Sequence, residues 1–69
     1  MEPHVDRLVE ELKELKFRHE KLGLFIENNP IFATLSAEDQ FLLHQQNFTM
    51  MAYMYVLVRR LEKAQASTT

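Results

Sequence analysis

Apolar side chains recur along the first part of the chain at alternating steps of four and three: Val5, Leu8, Leu12, Leu15, His19, Leu22 and Ile26, with His19 the one polar member. That spacing holds a single stripe against a partner on a helix of 3.6 residues per turn. Pro3 stands near the start, where a missing N–H costs nothing. Asn28-Asn29-Pro30 closes the stripe, because asparagine tolerates a left-handed cap and proline cannot continue a helix. Helix 1 is therefore expected over about residues 4–28.

A connection over residues 29–35 follows, with Ile31 and Phe32 expected to plug the end of the molecule. Ser36 with Asp39 three residues later reads as a capping box, a carboxylate replacing the usual Glu. Glu38 and Asp39 also suit the positive end of a helix dipole. Helix 2 is expected over about residues 37–64, before a polar tail at 65–69. Two helices of similar length joined by a short connection fold back on one another. The expected fold is all-α: one domain over residues 1–69, an antiparallel two-helix hairpin.

Helix 2 is apolar on too many sides for one partner. One row runs through Leu43, Gln46, Met50, Tyr53, Leu57 and Arg60, and a second through His44, Asn47, Met51, Met54, Val58 and Leu61. A third holds Phe41, Phe48 and Tyr55 at seven-residue intervals. A helix that is apolar all round must be buried all round, so helix 1 covers one row and other subunits must cover the rest. Phe17 and Leu24, off the stripe of helix 1, agree. The hairpin is thus expected to assemble into a homo-oligomeric helical bundle, with Phe48, Met51, Met54, Tyr55, Val58 and Phe17 at the subunit interface.

Composition narrows the options further. A 69-residue chain without cysteine has no disulfide to support a small core, and no Cys/His spacing suggests structural zinc. Oligomerisation remains. Eight Lys/Arg against ten Asp/Glu leave a net charge of −2, which argues against DNA or RNA as a partner. The segment Met1–Arg7 is charged, so no signal peptide is expected. The most apolar run, Phe48 to Val58, has eleven residues, short of the ~20 that span a bilayer. No membrane partner and a cytoplasmic location are expected.

Several polar residues fall where apolar ones are expected. With the turn centred near Ile31–Phe32, His19 lies close to Gln46, Leu12 to Tyr53 and Val5 to Arg60. The His19–Gln46 pair reads either as a buried hydrogen bond that fixes register or as a ligand contact. Tyr53 and Arg60 support two readings as well. One is a core tyrosine with an arginine paired to Asp6 or Glu10; the other is a ring that stacks on a base while the guanidinium takes a phosphate. Arg59, Arg60 and Lys63 form the one basic cluster of helix 2, and Arg7 lies at the same end. No Lys or Arg occurs between residues 22 and 58. A symmetric oligomer would multiply that basic end into anion-binding clefts.

Catalytic signatures are missing: no cysteine nucleophile, no glycine-rich phosphate loop and no HExxH. Glu10-Glu11 and Glu38-Asp39 are sequence neighbours that point different ways on a helix. His4, His19 and His44 would make a metal site only by accident of assembly, and the Glu-x-x-His pairs of helical di-iron proteins do not occur. No enzyme activity, metal or cofactor is expected. Methionines such as Met50, Met51 and Met54 are more often core filler than a redox or binding device, and a Met-rich face can also adapt to a partner.

The pattern Lys21-Leu22-x-x-Phe25-Ile26, Asn28 or Asn29, Phe32, Leu35, Leu42-Leu43-x-x-Gln46-x-x-x-Met50-x-x-Tyr53-x-x-Val56-Leu57-x-x-Arg60 covers most of residues 8–62. It resembles a family of small, crAss-like-phage-related bacteriophage proteins. It is similar through them to phage sponges of nucleotide immune signals such as Sequestin, Lockin and the anti-CBASS sponges. Gly23 and Leu24 depart from that pattern. The resemblance implies capture of a host-made signal, a cyclic ADP-ribose isomer of the Thoeris type or a cyclic dinucleotide, in the host cytoplasm. A pocket between subunits would need an aromatic plate, a phosphate partner and an amide, which Tyr53, Arg60 and Gln46 supply, with His19, Arg59 and Arg7 beside them. Two other readings compete: a module that grasps a host or phage helix, and an assembly coiled coil of the phage particle.

Overall fold

A computed structural model describes residues 3–66, and all of its elements are helices: α1 (Pro3–Asn28), α2 (Pro30–Thr34) and α3 (Ala37–Ala66). The all-α expectation holds, with three helices rather than two. Gln65 and Ala66 of the predicted tail belong to α3. The tail's last residues, 67–69, lie outside the described part, as do Met1 and Glu2.

The connection is helical where a loop was expected, and Asn29 explains why. Its backbone is extended (φ −89°, ψ 121°), and its side-chain Oδ1 accepts a hydrogen bond from the Ile31 N–H at 2.9 Å. It therefore caps the start of α2 instead of closing α1 in a left-handed conformation, and no described residue has a positive φ. Pro30 then occupies the first helical position, where its fixed φ suits a helix start. Ser36 opens α3 as expected, its Oγ accepting from the Asp39 N–H at 3.1 Å. Gln40 ties the corner together by donating from Nε2 to the carbonyls of Phe32 and Leu35, both at 3.1 Å.

α1 and α3 lie side by side and antiparallel. His4 and Leu8 of α1 adjoin Arg60, Lys63 and Ala64 at one end. At the other, Phe32 stands edge-on to both Phe25 (centroids 6.1 Å apart) and His44 (5.6 Å). Phe32 thus plugs the corner as expected, whereas Ile31 is exposed. The core between the long helices is narrow. Val5, Leu8, Leu15 and Leu57 are buried, and Leu12, Met50, Met54 and Leu61 pack against the Leu8–Leu15–Leu57 cluster.

The stripe of α1 faces inward as read from the sequence. The seam of α3 does not match either expected row. Its inward residues are Leu43, Asn47, Met50, Met54, Leu57, Leu61 and Ala64, a heptad that takes three members from each row and adds Ala64. Gln46, Tyr53 and Arg60 are displaced to one flank, and His44, Met51 and Val58 to the other; all six are exposed. Met54, expected at a subunit interface, packs inside the chain.

Much apolar surface stays outside. Phe41, Phe48 and Tyr55 form an exposed row on the back of α3, with Leu42 and Val56 beside it and Phe17 and Leu24 on the back of α1. The chain measures 51 × 15 × 14 Å and exposes 5499 Å². A compact monomer of 8.2 kDa exposes about 4,500 Å². Among the described residues no helix is long and apolar enough to cross a membrane.

Leu57, with no exposed surface, sits at the centre of the core. Leu57→Ala should cost about 2–5 kcal/mol, read as a large fall in the urea midpoint. Ser36→Ala should cost about 1 kcal/mol by removing the α3 cap. Equal effects from the two substitutions would contradict this division between core and cap.

Candidate functional site

Charge and aromaticity meet on the outer face of α3 near its C-terminal end. Tyr55, Arg59 and Glu62 follow one another at steps of four and three, and Val56, Arg60 and Lys63 run beside them. Together they line a groove of about 570 Å³. The groove belongs to one helix face, and it is lined by α3 alone among the described residues. Arg59 is partly engaged by Glu62 at 3.8 Å, with both side chains well exposed. An exposed pair of this kind contributes little and leaves the guanidinium available to an anion. The last carbonyls of a helix are its negative end, so Lys63 in the final turn is placed where a cation is stabilised.

Arg60 also borders a second, smaller recess of about 380 Å³ with His4, Leu8, Lys63 and Ala64. It makes no ion pair with Asp6 or Glu10 among the described residues, so the arrangement in which those carboxylates hold it is not adopted. Tyr53 is 43% exposed and does not enter the core. Arg7 is exposed on α1 at the same end of the molecule.

The sequence-derived set does not converge within one chain. Gln46, Tyr53 and Arg60 share a flank of α3 at seven-residue intervals, about 10 Å apart at 1.5 Å per residue. Gln46 and Arg60 are thus separated by roughly 20 Å along the helix. Arg59, Arg60 and Lys63 are brought together, joined by Tyr55, which the sequence reading assigned to the subunit interface. Tyr55 follows from the same spacing: it precedes Arg59 by one helical turn.

His19 faces Asn47 rather than Gln46. Both residues are half-buried and line a recess of about 400 Å³ together with Glu20, Gly23, Leu24 and Glu27. His19 Nδ1 and Asn47 Oδ1 are shut from solvent with no hydrogen-bond partner among the described residues. No described group of three or more His, Asp or Glu side chains could hold a metal ion.

The fold and this surface define a class: a small all-α protein that carries its basic and aromatic side chains on outer helix faces, not in an enclosed cleft. The chain belongs to the Sequestin family, whose model matches residues 2–63. Sequestin-type phage proteins are sponge-type binding proteins rather than known enzymes, and membership suggests a nucleotide-signal sponge role. No curated protein and no solved structure matches the chain at a significant level.

Proposed function

We propose that this chain is a phage anti-defence sponge that binds a host nucleotide immune signal and withholds it from the host effector. The signal is of the cyclic ADP-ribose type used by Thoeris or a cyclic dinucleotide of the CBASS type. Capture takes place in the host cytoplasm, in pockets between subunits of a homo-oligomer. Membership in the Sequestin family is the observation that carries this reading. Its physical support is the basic and aromatic groove of Tyr55, Arg59, Arg60 and Lys63. A tyrosine ring offers a stacking plate for a base, and guanidinium groups take phosphate oxygens in a bidentate fork.

Assembly and capture are linked in this reading. A groove on a convex helix encloses little of a ligand, whereas small-molecule sites bury most of the ligand surface. A second copy laid against the Phe48 and Tyr55 row would cover the apolar face and roof the groove in one step. It would also bring another chain's Tyr53 and Gln46 within reach. The signal needs no chemical change; one stoichiometric binding event removes it.

Thermal shift against a panel of nucleotide immune signals tests the reading, because a ligand that binds only the folded state raises apparent stability. One signal should raise the midpoint of the parent protein. Arg60→Glu and Tyr53→Ala should each weaken that signal's binding while the assembled mass stays unchanged. The expected loss for Arg60→Glu is about 10- to 100-fold, following roughly 1.5–3 kcal/mol for a hydrogen bond to a charged group. Binding that survives both substitutions would contradict the site. Phe48→Glu should lower the assembled mass while helicity persists, and an unchanged mass would remove Phe48 from the interface.

The exposed row Phe41, Phe48 and Tyr55 also favours a second reading, a module that grasps a helix of another protein. Bound nucleotide separates the two. The chain has no Trp and two Tyr, so 260 nm absorbance in the purified protein would report the nucleotide.

A further inference from the structure

The recess on the α1 side of the molecule carries three features that the chain itself does not explain. The first is Gly23, the only glycine, inside a 26-residue helix and five residues before its last. Glycine is among the poorest helix formers, and here it has no positive φ to justify it. A Cβ built on it meets nothing within 4 Å. No packing inside the chain therefore requires glycine at this position.

The second feature is the pair of atoms shut from solvent, His19 Nδ1 and Asn47 Oδ1. A buried polar atom without a partner is costly. The structure forms no hydrogen bond between them; a small shift that lets a protonated Nδ1 donate to the Asn47 side-chain carbonyl would satisfy both. With that bond formed, Nε2 would be the atom left to accept. The other polar atoms of the two side chains, His19 Nε2 and Asn47 Nδ2, are not shut off in this way. The recess then offers one acceptor and one donor side by side.

The third feature is the rim. Glu20 and Glu27 flank Gly23 at steps of three and four, both exposed, and Leu24 adds an apolar edge. Acceptors outnumber donors, and the carboxylates repel phosphate. The chemistry suits an uncharged, donor-rich group: the exocyclic amine and ring nitrogen of a nucleobase against Nε2 and Nδ2, with ribose hydroxyls on the carboxylates. Asparagine alone reads adenine through its own carbonyl and amide; here Asn47 Oδ1 is shut from solvent, so Nδ2 would donate to the ring nitrogen and His19 Nε2 would accept from the amine.

We propose that the recess lined by His19, Glu20, Gly23, Leu24, Glu27 and Asn47 is a nucleoside subsite that selects a base bearing an exocyclic amine. The proposal rests on the sponge reading and adds a second contact to it. Asn47 precedes Arg59 by twelve residues on α3, about 18 Å at 1.5 Å per residue. One signal molecule that uses both the recess and the basic groove must therefore bridge two subunits. Gly23 is glycine because the base lies where a side chain would stand.

Nuclear magnetic resonance titration of the whole protein with adenosine, which has no phosphate, tests the recess apart from the basic groove. Adenosine should shift the His19 ring and Asn47 side-chain amide resonances, and uridine should bind at least tenfold more weakly. Gly23→Leu should raise the thermal midpoint, since it replaces a poor helix former and meets open space, yet weaken adenosine at least tenfold. Asn47→Asp keeps an acceptor toward His19 and removes the donor, and should weaken adenosine by a similar factor. Unmoved resonances, or unchanged adenosine binding in both variants, overturn the proposal. If a nucleotide signal still stabilises the protein in that case, the sponge reading stands and the recess alone falls. If adenosine binds as described and no signal stabilises the parent, the recess stands and the sponge reading falls.

Discussion

Everything about this molecule depends on one geometric constraint: a pair of helices can bury one stripe of each and no more. α1 is built for that limit, with a single stripe from Val5 to Ile26 and charged residues over most of its other faces. α3 exceeds it. Its seam is filled by Leu43, Met50, Met54, Leu57 and Leu61, and yet Phe41, Phe48, Met51, Tyr55 and Val58 remain in water. The four buried side chains among the described residues make a marginal core for a chain of this size. The surplus on α3 is the part of the sequence written for something other than the chain's own fold.

The same surplus decided what could be read in advance. The stripe of α1 was legible because no competing row exists. On α3 several rows were apolar, so the hydrophobic pattern fixed a helix without fixing its rotation. A rotation of one position exchanges Gln46, Tyr53 and Arg60 for Asn47, Met54 and Leu61, which is the difference between the expected and observed seams. Three further residues, all at the corner, escaped the pattern because they act on backbone groups rather than through apolar packing. Gln40 occupies a seam position at the corner, where its amide satisfies carbonyls that apolar neighbours could not. Asn29 and Pro30 read as a stop signal when the same pair is also a start signal, an N-cap followed by the first helical residue. The basic cluster survived intact because Arg59, Arg60 and Lys63 are close in sequence, whereas His19 found a different partner because that contact depended on the rotation of α3.

Polar and apolar features divide the surface by end and by face. The corner end is closed by an aromatic ladder of Phe25, Phe32 and His44, and the open end carries all the cations of α3, with Arg7 of α1. Between them the His19–Asn47 layer interrupts the apolar seam. Such a layer weakens packing compared with leucine, and in helical pairs it sets register against sliding. The same two residues can serve register through their inward atoms and a ligand through their outward ones. A sponge has little need of a rigid catalytic geometry. It needs a stable scaffold, contacts for each part of its ligand and subunits that close around it.

Native mass spectrometry of the full chain with and without nucleotide signals reads the subunit count and bound ligand in one spectrum. A discrete multiple of the 8.2 kDa chain carrying an integral number of signal molecules is expected. A folded monomer that carries none would contradict that expectation, because the apolar back of α3 would then have no partner and the basic groove no roof.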